Sequence, residues 1–77
     1  MPHVIVKMLS GRTTEQKNLL ADEITKVVMK ITGNKESAVS VSIEDIEQSD
    51  WTEKVYKPDI ASNWDKLYKK PGYNPLT

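Results

Sequence analysis

The chain contains no cysteine, no phenylalanine and only one histidine among its 77 residues. Without cysteine no disulfide can staple a small domain, and one histidine leaves no credible ligand set for zinc or copper. Neither sign of charge is in excess. Eleven Lys and Arg balance eleven Asp and Glu, interspersed along the chain, which argues against a phosphate backbone as the main partner. No apolar run approaches the ~18 residues a membrane span requires, and nothing at the N-terminus reads as a signal peptide, so the expectation is a soluble cytoplasmic protein. With 38% hydrophobic and 29% charged residues the core is thin. Domains below roughly 70 to 80 residues usually need disulfides, metal or oligomerisation. The first two are missing here, so the expected unit is a single domain, residues 1–77, supported by association with copies of itself.

What is present has a clear order. Residues 3 to about 9 are apolar on both faces at Val4, Ile5 and Val6, which predicts a strand covered on each side. A helix over about 14 to 32 follows from Leu20, Ile24, Val27, Val28 and Ile31, which form one apolar stripe. Thr13 and Gln16 fit a capping box at its start, and Gly33-Asn34 supplies the left-handed residue that commonly ends a helix. A second strand, Ala38 to Ile46, alternates: Val39, Val41 and Ile43 on one face, Ser40, Ser42 and Glu44 on the other. Strand, helix and strand of this length make a β-α-β unit with parallel strands and a right-handed crossover. After a loop at Glu47 to Tyr56, Pro58 is expected to open a short C-terminal helix with Ile60, Trp64, Leu67 and Tyr68 on one stripe, stopped by Pro71-Gly72. The fold class is α+β. A two-stranded sheet is too small to stand alone, so symmetric dimerisation is expected to complete it.

The chemistry centres on Pro2. An initiator methionine before a small residue is normally removed, which would leave a secondary amine at the start of an apolar strand. An aliphatic amine becomes a base near neutral pH only when its pKa is lowered, by desolvation in an apolar pocket or by a nearby positive charge. Val4, Val6 and Trp51 are the candidates for the apolar pocket. Arg12 is the candidate charge, either because it ends the strand that Pro2 begins or because it reaches in from a neighbouring copy.

Pro2, the turn Gly11-Arg12, the helix opening Thr14-Glu15-Gln16-Lys17, the second strand and Trp51 together resemble the 4-oxalocrotonate tautomerase family, over about the first two-thirds of the chain. The C-terminal part, with Trp51 and Lys69-Lys70-Pro71-Gly72-Tyr73, is similar to a short bacterial branch of that superfamily that is dimeric and acts on phenylpyruvate. The resemblance implies a cofactor-independent, metal-free isomerase. Its catalytic group would be Pro2, acting as general base for a 1,3 proton shift that turns a 2-hydroxy-2-enoate or phenylenolpyruvate-like acid into the 2-keto acid. Arg12 would bind the substrate carboxylate through its paired donors, and Trp51 would stack on the conjugated or aryl part and exclude water. Ser40 stands where the best-known members carry a second arginine, so a monocarboxylate substrate is favoured over a dicarboxylate, with one hydroxyl in place of a cation. The partners implied are a small keto or enol acid and a second copy of the chain, with no nucleic acid and no membrane.

Two other readings stand beside this one. A hydrolytic relative adding water to a haloacrylate needs an extra acid, for which Glu44 is the nominee; a non-enzymatic dimeric module would leave Pro2 buried or capped. His3 reads as structural or exposed, with a secondary binding role as the alternative. Trp64 reads as a core or interface aromatic, Met8 and Met29 as core filler, and Lys69 and Lys70 as complements to the carboxyl end of the second helix.

Overall fold

The computed structural model describes residues 1–77. Strand β1 (His3–Leu9) is followed by helix α1 (Thr14–Thr32), a 3-10 turn (Glu36–Ala38) and strand β2 (Ser40–Ile46). The two strands pair in one sheet. The Ser40 N–H donates to the Pro2 carbonyl at 3.2 Å, so the strands start side by side and run parallel. Two compact units result, Met1–Asp45 and Ile46–Thr77.

In the first unit the helix boundaries follow from local chemistry. The Thr13 hydroxyl accepts from the Gln16 N–H at 3.0 Å, and the Gln16 side-chain carbonyl accepts from the Thr13 N–H at 2.9 Å, a complete capping box. At the other end Gly33 takes φ +76° and donates its N–H to the Met29 carbonyl at 2.9 Å. Val4, Val6 and Met8 of β1, Val41 and Ile43 of β2, and Leu20, Ala21, Ile24 and Val28 of α1 are all half-buried. Lys17 of α1 reaches Asp45 of β2 at 2.7 Å.

The apolar stripe of α1 is narrower than its periodicity implies. Val27 and Ile31 are 57% and 74% exposed, because a sheet of two strands covers only a limited arc of the helix. Likewise Ile5, on the opposite face of β1 from Val4 and Val6, is 56% exposed, so the second covering expected for that strand is not supplied within the chain. β2 begins at Ser40 and not at Ala38. Glu36–Ala38 tighten into a 3-10 turn in which the Val39 N–H bonds to the Glu36 carbonyl, and Val39 is extended without being paired.

The second unit departs further from expectation. No loop runs to Tyr56. A short 3-10 turn (Gln48–Asp50) leads into helix α2 (Thr52–Ile60), and Pro58 lies inside it instead of opening it. Proline has no N–H, and its ring crowds the carbonyl four residues back. The helix relieves this by widening to i→i−5 bonding, with the Ala61 N–H reaching both the Tyr56 and Lys57 carbonyls. The widened turn exposes carbonyls that nearby side chains then satisfy: Ser62 donates to Lys57 at 2.7 Å, and Asn63 donates to Pro58 and Asp59 at 3.3 and 3.2 Å.

A 3-10 stretch (Ala61–Lys66) follows, kinked at Asn63. Leu67 is extended, so the helix stops well before Pro71-Gly72, and Tyr68 is fully exposed and not on a buried stripe. Lys69 and Lys70 therefore do not cap a helix; the Lys70 ammonium sits 5.7 Å from the centroid of the Trp64 ring. The C-terminal tail packs on α2 through aromatic rings. Tyr56 and Tyr73 pack with centroids 5.5 Å apart and a 54° tilt, and the Tyr56 hydroxyl donates to the Tyr73 carbonyl at 3.4 Å. Val55 and Tyr56, at 4% and 2% exposure, are the buried core residues of the chain.

Candidate active site

β1 and β2 start next to one another, and this places three residues together. Pro2 is half-buried just ahead of β1 and accepts, through its carbonyl, the N–H of Ser40. His3 opens β1 and Ser40 opens β2. Both side chains lie on the sheet face away from α1, with the imidazole Nδ1 2.6 Å from the Ser40 Oγ. Met1, 99% exposed, still precedes Pro2, whose nitrogen is an amide in this form of the chain.

Arg12 is not part of this group. It is exposed in the turn beyond the far end of β1, after Gly11 at φ +121°. At 3.2–3.4 Å per residue β1 alone spans roughly 20 Å, so the Arg12 of one chain lies at the opposite end of the strand from its own Pro2. Of the two routes considered for this arginine, only delivery from a neighbouring copy remains open. Glu44 lies four residues along β2 from Ser40, roughly 13 Å by the same rise, so a single chain does not bring an acid from that position to Pro2.

Trp51 belongs to the second unit, at the N-terminus of α2, and its indole N–H donates to the Tyr73 hydroxyl at 2.8 Å. The ring is thereby held by the same tyrosine that packs on Tyr56. Nowhere do three His, Asp or Glu side chains converge as metal ligands.

Two members of these constellations, His3 and Tyr73, are brought in by the fold. His3 becomes visible once the strands are taken as parallel and in this register, because strand-opening residues on one face are then neighbours. Tyr73 is foreshadowed only by Pro71-Gly72, a turn able to send the chain back towards α2.

The arrangement offers a strand-end proline beside a hydroxyl–imidazole pair, open to solvent in the single chain. Comparison with known proteins gives the family. A family profile described as tautomerase enzyme matches residues 2–54. A probable tautomerase of Xylella fastidiosa is 45% identical over 76 residues, covering 99% of this chain and 93% of the relative. The tautomerase PptA of Cronobacter sakazakii is 39% identical over 74 residues, covering 95% and 97%. Among solved structures, YwhB, a homologue of 4-oxalocrotonate tautomerase, superimposes with a TM-score of 0.60 at 45% identity, over 61% of this chain and 77% of its own. A 4-oxalocrotonate tautomerase isozyme structure from Methylibium petroleiphilum gives 0.63 at 30% identity, over 65% and 81%.

Proposed function

The chain belongs to the tautomerase family and is an isomerase, and from that premise we propose that Pro2, freed of Met1, is the general base that ketonises 2-hydroxy-2-enoates or phenylenolpyruvate-like acids. The Pro2 nitrogen takes the proton from the enol hydroxyl; as the C=O bond forms, the π electrons move to the distal carbon, and that carbon takes the proton back. One O–H bond is broken and one C–H bond is made. The observation that carries this reading is the register of the sheet, in which Ser40 N–H bonds to the Pro2 carbonyl and the Ser40 hydroxyl meets the imidazole of the next residue, His3. Ser40 donates to the 2-oxygen as it becomes negative, where a positioned donor acts without reorganisation.

This reading requires a second copy of the chain. His3, Arg12 and Ser40 are exposed in the single protomer, whereas desolvation and a nearby cation are the two effects that make an aliphatic amine a base near neutral pH. A neighbouring copy meets both requirements: it covers the face carrying Ile5 and Leu9, and it brings its own Arg12 to bind the substrate carboxylate as a bidentate partner. A symmetric dimer is the smallest assembly that does so.

Intact mass spectrometry of the expressed protein tests the premise about Met1, with the mass of the chain lacking methionine expected. Pro2→Ala should then lose ~10²-fold or more in turnover of phenylenolpyruvate while keeping its circular dichroism, the scale expected for removing a positioned general base. A protein that retains Met1 and turns over substrate normally would end the proposal.

A further inference from the structure

Two hydrogen bonds hold Ser40 against the residues at the start of β1, Pro2 just ahead of it and His3 its first. Its N–H donates to the Pro2 carbonyl at 3.2 Å, and its Oγ lies 2.6 Å from the His3 Nδ1. A serine hydroxyl has one proton to give and two lone pairs, and a neutral imidazole nitrogen either gives or accepts. The contact therefore exists in two forms with opposite consequences. If Nδ1 is bare, the Ser40 proton is committed to the imidazole and the oxygen can only accept from a substrate. If Nδ1 carries the proton, it donates to Oγ, and the Ser40 proton is free to point elsewhere.

We propose that His3 is a positioning residue that holds Ser40 in the second form, with Nδ1–H donating to Oγ so that the Ser40 O–H is presented to the substrate oxygen that becomes negative beside Pro2. The inference rests on the reading of Pro2 as the base. A hydrogen bond received at Oγ also polarises the hydroxyl, because bonds in a chain strengthen one another, so the serine donates more strongly than an isolated one. The pair is assembled by the sheet itself: His3 and Ser40 are the first residues of two adjacent parallel strands, and the backbone bond at Pro2 sets their separation. Donors held in place before reaction in this way need no rearrangement as charge develops.

His3 is the only histidine in the chain, so a single pair of imidazole nitrogen resonances reports its state. In the ¹⁵N-labelled mature protein with the ring neutral, the Nδ1–H tautomer is expected; an Nε2–H tautomer with bare Nδ1 overturns the proposal without any variant. Kinetics give a second test. Ser40→Ala should lower kcat about tenfold with little change in KM. His3→Ala should lower kcat by a similar factor, yet by less than about twofold when Ser40 is already alanine, since coupled residues are not additive. His3→Asn, whose amide N–H stands where Nδ1–H stood, should restore most of kcat. Losses that multiply in the double variant, a loss confined to KM, or no rescue by asparagine would each refute the role. Pro2→Ala run alongside separates the two ideas. If it keeps normal turnover, the base assignment fails; if it is inactive while His3 and Ser40 act independently, only the positioning role fails.

Discussion

The two units of the chain differ in how they are held together. In Met1–Asp45 two regular strands and a helix capped at both ends are interrupted only by the 3-10 turn Glu36–Ala38, yet no residue is buried. Ile46–Thr77 is built from 3-10 turns and a π-widened helix around an internal proline, yet it contains the buried pair Val55 and Tyr56. Regularity and burial are thus separate properties. Hydrogen-bonded strands and a capped helix can be complete while their apolar faces remain wet, and the apolar residues left over, Ile5, Leu19, Val27 and Ile31, are where a second chain can add stability. The irregular unit closes on itself because three aromatic rings, Trp51, Tyr56 and Tyr73, join the two ends of a short segment.

The sharpest way to break this contrast is Tyr56→Ala. Removing the most buried large side chain should cost about 3–5 kcal/mol, read as a fall in denaturation midpoint against the parent at the same protein concentration. An unchanged midpoint would show that this aromatic closure is not what holds the unit together.

Ile5→Lys is the converse experiment on the regular unit. In an isolated chain a lysine at a site 56% exposed is harmless, but beneath a partner it places a charge on a covered face. Sedimentation should show the variant dissociating at concentrations a hundredfold or more above those that dissociate the parent, about 2.7 kcal/mol of association free energy. A parent that sediments as an active monomer would refute the need for a second copy. A hexamer would revise only the count.

Arg12→Ala should raise KM about tenfold for a carboxylate substrate and much less for the matched ester, as loss of a charge-assisted carboxylate contact requires. Equal losses for acid and ester would return Arg12 to a structural role in its turn. Mixed oligomers of Arg12→Ala and Pro2→Ala chains refine the test, since a site that takes its arginine from a neighbour regains activity on mixing.

The smallest expected effect is that of Gly33→Ala. Nothing lies within 4 Å of the added methyl, so the only cost is holding alanine at φ +76°, about 1 kcal/mol. It should appear as a drop of a few degrees in melting temperature with kinetics unaltered.

Signals confined to a few neighbouring residues were legible from the sequence. Thr13 and Gln16 announced the start of α1, Gly33 its end, and the alternation from Val39 to Glu44 the strand, because each acts through bonds or periodicity within one turn or one pleat. Pro58 shows the limit of such reading. A proline locally favours the first turn of a helix, but here the flanking segment is helical on both sides, and widening the turn relieves the ring where a break was the local expectation. The covered stripe on α1 is narrower than the apolar one for a related reason: periodicity marks which residues are apolar, and only the width of the opposing sheet decides which are covered.

For the candidate site the division is the same. The sequence by itself determined that a proline follows Met1 at the head of an apolar strand, and that an arginine follows Gly11 in the turn after that strand. Only the tertiary structure decided that Ser40 and His3 meet beside Pro2, that Arg12 ends up on the far side of β1, and that Tyr73 holds Trp51. Those contacts join residues 22 and 37 apart in the chain, and strand register and chain reversal set such distances through bonds that no local pattern of side chains encodes.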